Sequence, residues 1–348
     1  MVAGHTPYAV LHERLMRHVY KASPRLRRLL RRGKNTAVTG LARFGLWAVG
    51  RLSLERALRV GEAVGALLYR LLRRSRQLAL EHLRVAFGDE LSAAAREHLA
   101  RASFINIARS FCELAKVDDI RARRDEYFEV EGWKELEQGL VAEGKGAVIV
   151  TGHIGNWELL AAYFAWKGVP VAAIARRIYA TGLNELLVDF RSRQGVETIL
   201  RESPHATQQI LRALESKALL AMLIDQDTHT ASVSVPFFGR LARTPAGAAA
   251  LAIRRDLPAA AAFIQRRPEG GQRITFSVPF VIERSGDTQA DIRALTRQFS
   301  VALEAQIRSN PAEWVWWHRR WRRPPLPRLD LDGALSRTKS DSVLRRRG

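Results

Sequence analysis

The chain has 348 residues, and its hydrophobic fraction of 47% excludes a wholly disordered chain, a collagen-like fibre and a coiled-coil rod. A single cysteine excludes an intramolecular disulfide framework and a cysteine-rich zinc site. Lysine and arginine total 56 against 35 acidic residues, a formal net charge of +21. Such a surface attracts anions: nucleic acid, anionic lipid headgroups, acidic carrier proteins or phosphorylated substrates.

The first third of the chain is predicted to be basic and helical. Residues 1–35 form a predicted basic arm, either solvated or in contact with a membrane surface or polyanion. From 36 to about 117 the apolar spacing is helical, with Leu41, Phe44 and Ala48 on one stripe. A basic amphipathic helix of this kind either lies in a membrane interface or packs on a domain core. Charged residues interrupt 36–72, so we expect no classical spanning helix there, with an N-terminal anchor as the alternative.

After residue 124, short β-rich runs alternate with helical stretches. Strands are predicted over 127–130, 147–151, 169–175, 219–224, 259–265 and 273–281. Helices are predicted over 133–143, 156–167, 183–194, 206–216, 245–255 and 287–308. This alternation predicts an α/β domain with a mostly parallel central sheet, following an N-terminal helical region. The predicted division is a basic arm over 1–35, an amphipathic, membrane-associating helical region over 36–120, the α/β domain over 121–325, and a basic, flexible tail over 326–348.

The segment AVIVTGHIGNWELL, 147–160, is the candidate catalytic segment. An apolar strand leads into His153, which therefore lies at the carboxyl end of the sheet, where open α/β folds bind ligands. A turn at Gly155 and a helix capped by Asn156 would place Glu158 in the first helical turn, from which its carboxylate could reach the imidazole. A histidine held by a carboxylate is a competent general base. The alternative is a strand-end histidine that only forms a local hydrogen bond.

Four blocks of sequence resemble one family. They are Gly152–Glu158, MLIDQDTHTASVSVPFFG at 222–239, TPAGAAAL at 244–251 and PAEWVWWHRRW at 311–321. Their order and spacing resemble the bacterial lipid A biosynthesis acyltransferases, the lauroyl and myristoyl transferase group within the lysophospholipid acyltransferase superfamily. The resemblance covers about 36–325 and leaves out the arm and the tail.

The resemblance implies acyl transfer. His153 would act as general base on an acceptor hydroxyl, and Glu158 would orient that histidine. The hydroxyl would attack a fatty-acyl thioester carried by acyl carrier protein or coenzyme A. The resemblance implies no serine or cysteine nucleophile, because the family transfers the acyl group directly from the thioester to the acceptor, and the absence of a GxSxG elbow agrees with this. We also expect no cofactor beyond the acyl donor and no metal. Backbone amides near Gly155 and Asn156, or an arginine, could stabilise the oxyanion.

Further residues, together with Asn156, are predicted to bind substrate. Arg176 and Arg177 follow a predicted strand, and the resemblance associates a basic residue here with the phosphate of the acceptor, a group that a guanidinium fits well. Arg191 is either substrate-facing or structural. Asp225 and Gln226 end another strand, where they orient an arginine, shape the pocket or simply begin a loop. Thr244 and Pro245 are predicted to begin a helix.

Four of the eight tryptophans lie close to the C-terminus, among arginines and a histidine: Trp314, Trp316, Trp317 and Trp321. They could pack in the core, form a lipid-handling surface, or stack on single-stranded nucleic acid.

The resemblance favours the lipid interpretation. The expected partners are therefore the acyl donor, a phosphorylated glycolipid acceptor and an anionic membrane, and the alternative from a different class is a nucleic-acid-binding protein. The acceptor is expected to be a lipid A precursor, with another glycolipid or a lysophospholipid as alternatives. The expected location is the cytoplasmic face of the inner membrane.

Overall fold

The computed structural model describes residues 24–138, 145–178, 180–228, 230–282 and 284–324, with the backbone alone described over 24–32. Most of the predicted basic arm and the whole predicted tail lie outside these residues. The last part of the arm is helical, because the first helix begins at Pro24. The four long N-terminal helices are α1 (Pro24–Gly50), α2 (Leu54–Leu71), α3 (Arg73–Phe87) and α4 (Ala93–Ala115).

Two glycines let helix α2 pack directly against the backbone of α4. The buried face of α2 carries Ala57, Gly61, Gly65 and Tyr69, spaced four residues apart. A Cβ added at Gly65 would lie 2.5 Å from the Cα of Ile105 on α4. The predicted N-terminal helical region is therefore confirmed, and residues of α2, α3 and α4 share a buried cluster with the α/β part of the protein. Over the described residues, none of the helices combines the length and the apolar character needed to cross a membrane.

The rest of the chain alternates strands and helices, as predicted. The strands are β1 (Phe128–Glu131), β2 (Ala147–Thr151), β3 (Val171–Ala175), β4 (Val196–Leu200), β5 (Leu219–Leu223), β6 (Ser232–Phe237), β7 (Arg240–Pro245), β8 (Ala259–Arg266) and β9 (Gln272–Phe276). The helices are α5 (Val117–Ala122), α6 (Arg124–Tyr127), α7 (Trp133–Leu136), α8 (Trp157–Trp166), α9 (Thr181–Arg193), α10 (Ala206–Glu215), α11 (Gly247–Arg255) and α12 (Thr288–Ser309).

Seven strands form the central sheet in the order β1-β9-β8-β2-β5-β3-β4, and every pairing is parallel except β8 with β9. The predicted α/β class with a mostly parallel sheet is confirmed. Three strands were not predicted: β4 and the two strands of the antiparallel hairpin, β6 and β7. The prediction that Thr244 and Pro245 begin a helix is wrong. Both end β7, and helix α11 begins at Gly247.

Helices cover both faces of the sheet. Alternate side chains of β2 enter different cores: Val148 and Val150 pack in the cluster that holds α11 and α12, whereas Ala147 and Ile149 pack in the cluster that holds α8. All five residues of β2 are buried. A strand buried on both faces reads as a continuous apolar run, which is why this strand is predictable from the sequence alone.

The register between β2 and β5 brings two chain segments together at one sheet edge. The strands are parallel neighbours, with Thr151 opposite Leu223. The pairing continues one step further, because the amide of Ile224 donates to the carbonyl of Thr151 at 3.1 Å. Residues two positions beyond this pair, His153 and Asp225, therefore emerge side by side at the carboxyl edge of the sheet.

Gly155 makes the turn that separates His153 from helix α8. Its φ is +56°, and a Cβ placed there would lie 2.1 Å from the carbonyl oxygen of Ile264 on β8. Only glycine fits a left-handed position this close to another strand. The helix begins at once: the Asn156 side chain accepts from the Leu159 amide at 3.3 Å as an N-cap.

Gly155→Ala should therefore destabilise the protein far more than an alanine at an equally left-handed but open position. Gly239 has φ +68° and no atom within 4 Å of an added Cβ, so it is the matched control. We expect Gly239→Ala to lower the free energy of unfolding by about 1 kcal/mol and Gly155→Ala by roughly 3 kcal/mol or more. Denaturant unfolding of both variants measures this. Equal losses would contradict the close approach of the turn to β8.

Candidate active site

Asp225 holds His153 at the carboxyl edge of the sheet. The ring Nδ1 of His153 lies 2.7 Å from Oδ1 of Asp225. The backbone amide of the same histidine donates to Oδ2 of Asp225, also at 2.7 Å. Because an ionised carboxylate only accepts, Nδ1 carries the hydrogen and Nε2 is the basic nitrogen. The carboxylate therefore fixes both the tautomer and the orientation of the imidazole.

The Asp225 carboxylate is ionised although it is fully buried. Burial alone would raise its pKa, but the charge of His153 and its hydrogen bonds outweigh burial and hold the pKa of Asp225 well below its usual range. A second histidine, His318, lies close by, with its Nε2 3.1 Å from the Asp225 carbonyl oxygen. Burial lowers the pKa of His318 to about 3, so this second imidazole is neutral.

The basic nitrogen of His153 faces a side-chain amide. Nε2 of Gln226 lies 3.2 Å from Nε2 of His153, so the amide donates to the nitrogen that a substrate hydroxyl would need. The His153 side chain is 22% exposed, which leaves the ring reachable from outside. The carboxyl edge thus presents an oriented base with a hydrogen-bond donor beside it. Of the predicted site residues, the structure brings His153, Asp225 and Gln226 together.

The predicted contact between Glu158 and His153 is not formed. Glu158 lies buried in the first turn of α8 and makes a two-pronged ion pair with Arg191, its oxygens accepting from Nε and a terminal nitrogen of the guanidinium, each at 2.7 Å. Trp157 also donates to it through the indole N–H at 3.1 Å. The start of α8 thus points this carboxylate at the last turn of α9. The pair ties α8 to α9 and leaves the imidazole to Asp225.

Two predicted binding residues are interior. Arg191 is buried and its guanidinium is occupied by Glu158, which favours the structural alternative left open by the sequence. Asn156 is also buried: besides capping α8, its amide donates to the Ser110 carbonyl at 3.1 Å and to the Glu113 carboxylate at 2.9 Å. The amide of Gly155 donates to the carbonyl of Glu313 at 3.0 Å, so it is not available to an oxyanion.

A buried ion pair between Glu113 and Arg266 supports the turn between His153 and helix α8. Glu113 accepts from Arg266 at 2.6 Å, from the Tyr127 hydroxyl at 2.6 Å and from Gln272 at 2.9 Å, in addition to Asn156. Burial would raise the pKa of Glu113, but Arg266 outweighs it and the pKa is lowered. This carboxylate connects α4, α6, β8 and β9 to the cap of α8. None of these contacts is signalled by spacing in the sequence, because the partners lie far apart along the chain.

Arg176 and Arg177 lie exposed directly after β3, at the same sheet edge as His153. The backbone amide of Arg177 donates to Glu202 at 3.1 Å, and this contact fixes the chain after β3 against the loop after β4. The prediction that both residues lie at the carboxyl edge is confirmed. Their role in binding a phosphate stays a prediction.

The C-terminal tryptophan and arginine cluster is largely core. Trp314, Trp316 and Arg320 are among the largest fully buried side chains in the described residues. Arg320 donates to the Arg243 carbonyl at 2.6 Å and to the Thr244 hydroxyl at 2.7 Å, and it lies over the ring of Phe237. Core packing, one of the alternatives left open by the sequence, therefore applies to Trp314 and Trp316, whereas Trp317 and Trp321 are partly exposed.

A mostly parallel sheet in an α/β fold, with a carboxylate-held histidine at its carboxyl edge, defines a candidate general-base enzyme. The sequence matches the family model described as bacterial lipid A biosynthesis acyltransferase over residues 28–323. That match spans most of the chain, so the protein belongs to this family of acyltransferases, as the four sequence blocks indicate.

Two relatives carry the same name. The chain is 28% identical over 229 residues to a phosphatidylinositol mannoside acyltransferase of Mycolicibacterium smegmatis, a match covering 65% of this chain and 73% of that protein. It is 26% identical over 236 residues to a phosphatidylinositol mannoside acyltransferase of Mycobacterium tuberculosis, covering 66% of this chain and 72% of that protein.

Breaking the Glu158–Arg191 pair from one side should cost much more than removing both charges. Arg191→Met leaves a buried carboxylate and Glu158→Gln leaves a buried guanidinium, so each should lower the free energy of unfolding by about 3–5 kcal/mol. The double variant should lose less than the sum, as measured by urea unfolding. Arg193→Met is the control on the same helix, because the Arg193–Asp189 pair is exposed and its loss should change stability little. Additive losses would contradict a coupled buried pair.

Proposed function

We propose that the protein is a membrane-associated O-acyltransferase that moves a fatty-acyl group from a thioester to a hydroxyl of a glycolipid. The observation that supports this most directly is the imidazole of His153, held through Nδ1 by Asp225 with Nε2 available as the base. Family membership supplies the acyl-transfer class. The thioester, carried by acyl carrier protein or coenzyme A, is the part of the proposal that rests on the resemblance of the sequence blocks.

The proposed step needs one base and no covalent enzyme intermediate. Nε2 of His153 removes the proton of the acceptor hydroxyl as its oxygen attacks the thioester carbonyl carbon. The new C–O bond forms and the carbonyl oxygen becomes an oxyanion. When the carbonyl reforms, the C–S bond breaks and the leaving thiolate takes the proton from the imidazolium. The products are an ester and a free thiol, and Asp225 stabilises the imidazolium throughout.

Gln226 is the side chain best placed to respond to the substrate. Its amide occupies the position next to Nε2 where the hydroxyl must bind, so it has to move when the acceptor arrives. Having moved, the same amide can donate to the oxyanion that grows on the thioester carbonyl. In the proposal, Gln226 thus takes the role of oxyanion donor that the sequence suggested for the Gly155 amide, because that amide donates to the Glu313 carbonyl.

The acceptor is proposed to be a phosphorylated glycolipid. Both relatives named above are phosphatidylinositol mannoside acyltransferases, so this lipid is the first acceptor to test, and a lipid A precursor is the second. Arg176 and Arg177 lie at the same sheet edge as the base, where a guanidinium fork could bind the acceptor phosphate.

The proposed membrane contact is the outward face of α1 and α2. Apolar side chains with helical spacing are exposed there: Leu41, Phe44 and Trp47 on α1, and Val60, Val64, Leu67 and Leu71 on α2. Exposed arginines accompany them: Arg43, Arg51, Arg59 and Arg70. The guanidinium of Arg51 lies 4.7 Å from the ring centroid of Trp47. Apolar rows with cationic flanks suit insertion into an anionic bilayer interface, and we propose the cytoplasmic face of the inner membrane as the site.

The first test of the proposal is transfer of a labelled acyl chain from acyl carrier protein and coenzyme A thioesters to phosphatidylinositol mannoside and to a lipid A precursor. His153→Ala should abolish transfer, and Asp225→Asn should lower kcat by about a thousandfold or more because the imidazole loses its orienting charge. Asp227→Asn is the control, because Asp227 pairs with Arg323 and does not contact the histidine.

The assay separates the two carboxylates as well. Glu158→Gln should reduce activity only as far as it reduces the folded fraction, since its carboxylate binds Arg191. Equal activity of Asp225→Asn and the parent protein would contradict the assignment. Absence of transfer by the parent protein to either acceptor would argue against the proposed substrates.

Membrane binding should depend on the α1 face. We expect the double variant Phe44→Glu and Trp47→Glu, whose parent side chains are 63% and 56% exposed, to bind phosphatidylglycerol vesicles at least tenfold more weakly. The control is Val278→Glu with Val301→Glu, which removes equally exposed apolar side chains, 72% and 59%, and adds the same charge in the α/β domain. Vesicle sedimentation measures both variants. Equal losses would show that only net charge matters and would remove this face from the proposal.

A further inference from the structure

We propose that Trp314 is a positioning residue for acyl transfer, acting through Asp225 on His153. The indole N–H of Trp314 donates to Oδ2 of Asp225 at 2.8 Å. Trp314 lies 89 residues beyond that aspartate in the chain, and it makes no hydrogen bond to the imidazole itself. The inference rests on the proposed function, in which Asp225 orients the base.

The hydrogen bonds of Asp225 show why one more donor matters. Oδ1 faces the ring of His153, while Oδ2 receives the His153 amide at 2.7 Å and the Trp314 indole at 2.8 Å. The two donors on Oδ2 fix the rotation of the carboxylate, so that Oδ1 points at Nδ1. A hydrogen bond to an ionised acceptor is stronger and more directional than a neutral one. Without the indole, the carboxylate keeps one donor on Oδ2 and can rotate.

The backbone around Trp314 is bonded to the same turn that carries the base. Val315 donates to the His153 carbonyl at 3.2 Å, and Gly155 donates to the Glu313 carbonyl at 3.0 Å. Ile154 and Trp314 thereby form an isolated antiparallel bridge. The C-terminal segment therefore contacts the histidine through its backbone and the aspartate through the indole, and it sets their relative position.

Trp316 provides a natural comparison two residues further on. Both tryptophans are fully buried, and their rings meet edge to face at 4.6 Å. The Trp316 indole donates to the Pro311 carbonyl at 2.7 Å, within the C-terminal segment itself. The two side chains thus share burial and packing and differ in the acceptor that each indole reaches. This difference separates positioning from packing.

The charged and titratable groups near the Asp225 carboxylate come from three elements. His153 follows β2, and His318 and Arg320 belong to the C-terminal segment. Asp227, two residues along the same loop, is paired with Arg323. His318 is neutral at the working pH. Removing the indole therefore leaves His153 as the group that responds to a change at Oδ2.

Two expectations follow for Trp314→Phe. A carboxylate with one donor fewer keeps more negative charge toward the imidazolium, so the acid limb of the kcat/KM profile should move to higher pH. Its looser orientation should lower kcat about tenfold while KM for the acyl donor changes less than twofold. Trp316→Phe should lower the melting temperature about as much as Trp314→Phe does. It should leave kcat and the acid limb of the kcat/KM profile unchanged.

The experiment compares both variants in the acyl-transfer assay between pH 5.5 and 9, together with the proton NMR signal of a histidine Nδ1–H bonded to a carboxylate. That downfield signal is assigned by its loss in His153→Ala. We expect it in the parent protein and in Trp316→Phe, and we expect it shifted in Trp314→Phe. If Trp314→Phe fails to fold, benzothienylalanine at position 314 keeps the bicyclic shape and replaces the N–H by sulfur, with the same replacement at 316 as control.

The outcomes distinguish the two proposals. If Trp314→Phe and Trp316→Phe lower kcat equally and move neither the pH profile nor the NMR signal, Trp314 is a packing residue and the inference is overturned. If the parent protein transfers no acyl group, the proposed function fails, and the NMR signal alone decides whether the indole positions the Asp225–His153 pair. A signal that shifts in Trp314→Phe and not in Trp316→Phe supports the inference, whether or not the parent protein transfers an acyl group.

Discussion

The structure depends on one buried carboxylate. Asp225 is removed from water at the carboxyl edge of the sheet, and a buried charge is tolerated only when it is well bonded. Its donors come from two segments that the fold must bring together, the turn after β2 and the strand-like segment around Trp314. The aspartate itself follows β5. Satisfying this one group therefore fixes three parts of the chain relative to one another, and the basic nitrogen of His153 emerges where they meet.

The two acidic residues of the site have separate tasks. Asp225 holds the imidazole, whereas Glu158 binds Arg191 and joins the first turn of α8 to the last turn of α9. The five-residue separation in the sequence therefore joins two residues with different roles: His153 is the proposed base, and Glu158 holds helix α8 against α9. Asn156 serves the same end, because it caps α8 and is itself held by the buried Glu113–Arg266 pair. The rigid start of α8 fixes the turn from which His153 projects.

The sequence predicts the strands that are buried on both faces and the helices that cover them. Strand β2 is predicted with the bounds that the structure has, because an unbroken apolar run marks it. The hairpin of β6 and β7 is not predicted, since its strands carry polar side chains and flank a turn at 238–239 rather than a helix. Pro245 suggests a helix start by its type, but pairing with Ser232 keeps it in a strand.

The partner of the base is the part of the site that spacing along the chain does not reveal. Glu158 is close to His153 in sequence, whereas Asp225 is 72 residues away. A usable signal is nevertheless present in the predicted strands. If β2 and β5 are parallel neighbours, the residues that follow the two strands lie together at one sheet edge, and they include His153 and Asp225. Trp314 has no comparable signal, because its segment joins the sheet edge through a single bridge.

The central claim is that Asp225, and not Glu158, holds the imidazole of His153. The most direct measurement is the downfield Nδ1 proton signal of His153 by NMR, recorded for the parent protein, Asp225→Asn and Glu158→Gln. The account predicts that Asp225→Asn removes the signal from the downfield region and that Glu158→Gln leaves it in place. A signal that survives in Asp225→Asn and disappears in Glu158→Gln would contradict the account and restore Glu158 as the partner of the base.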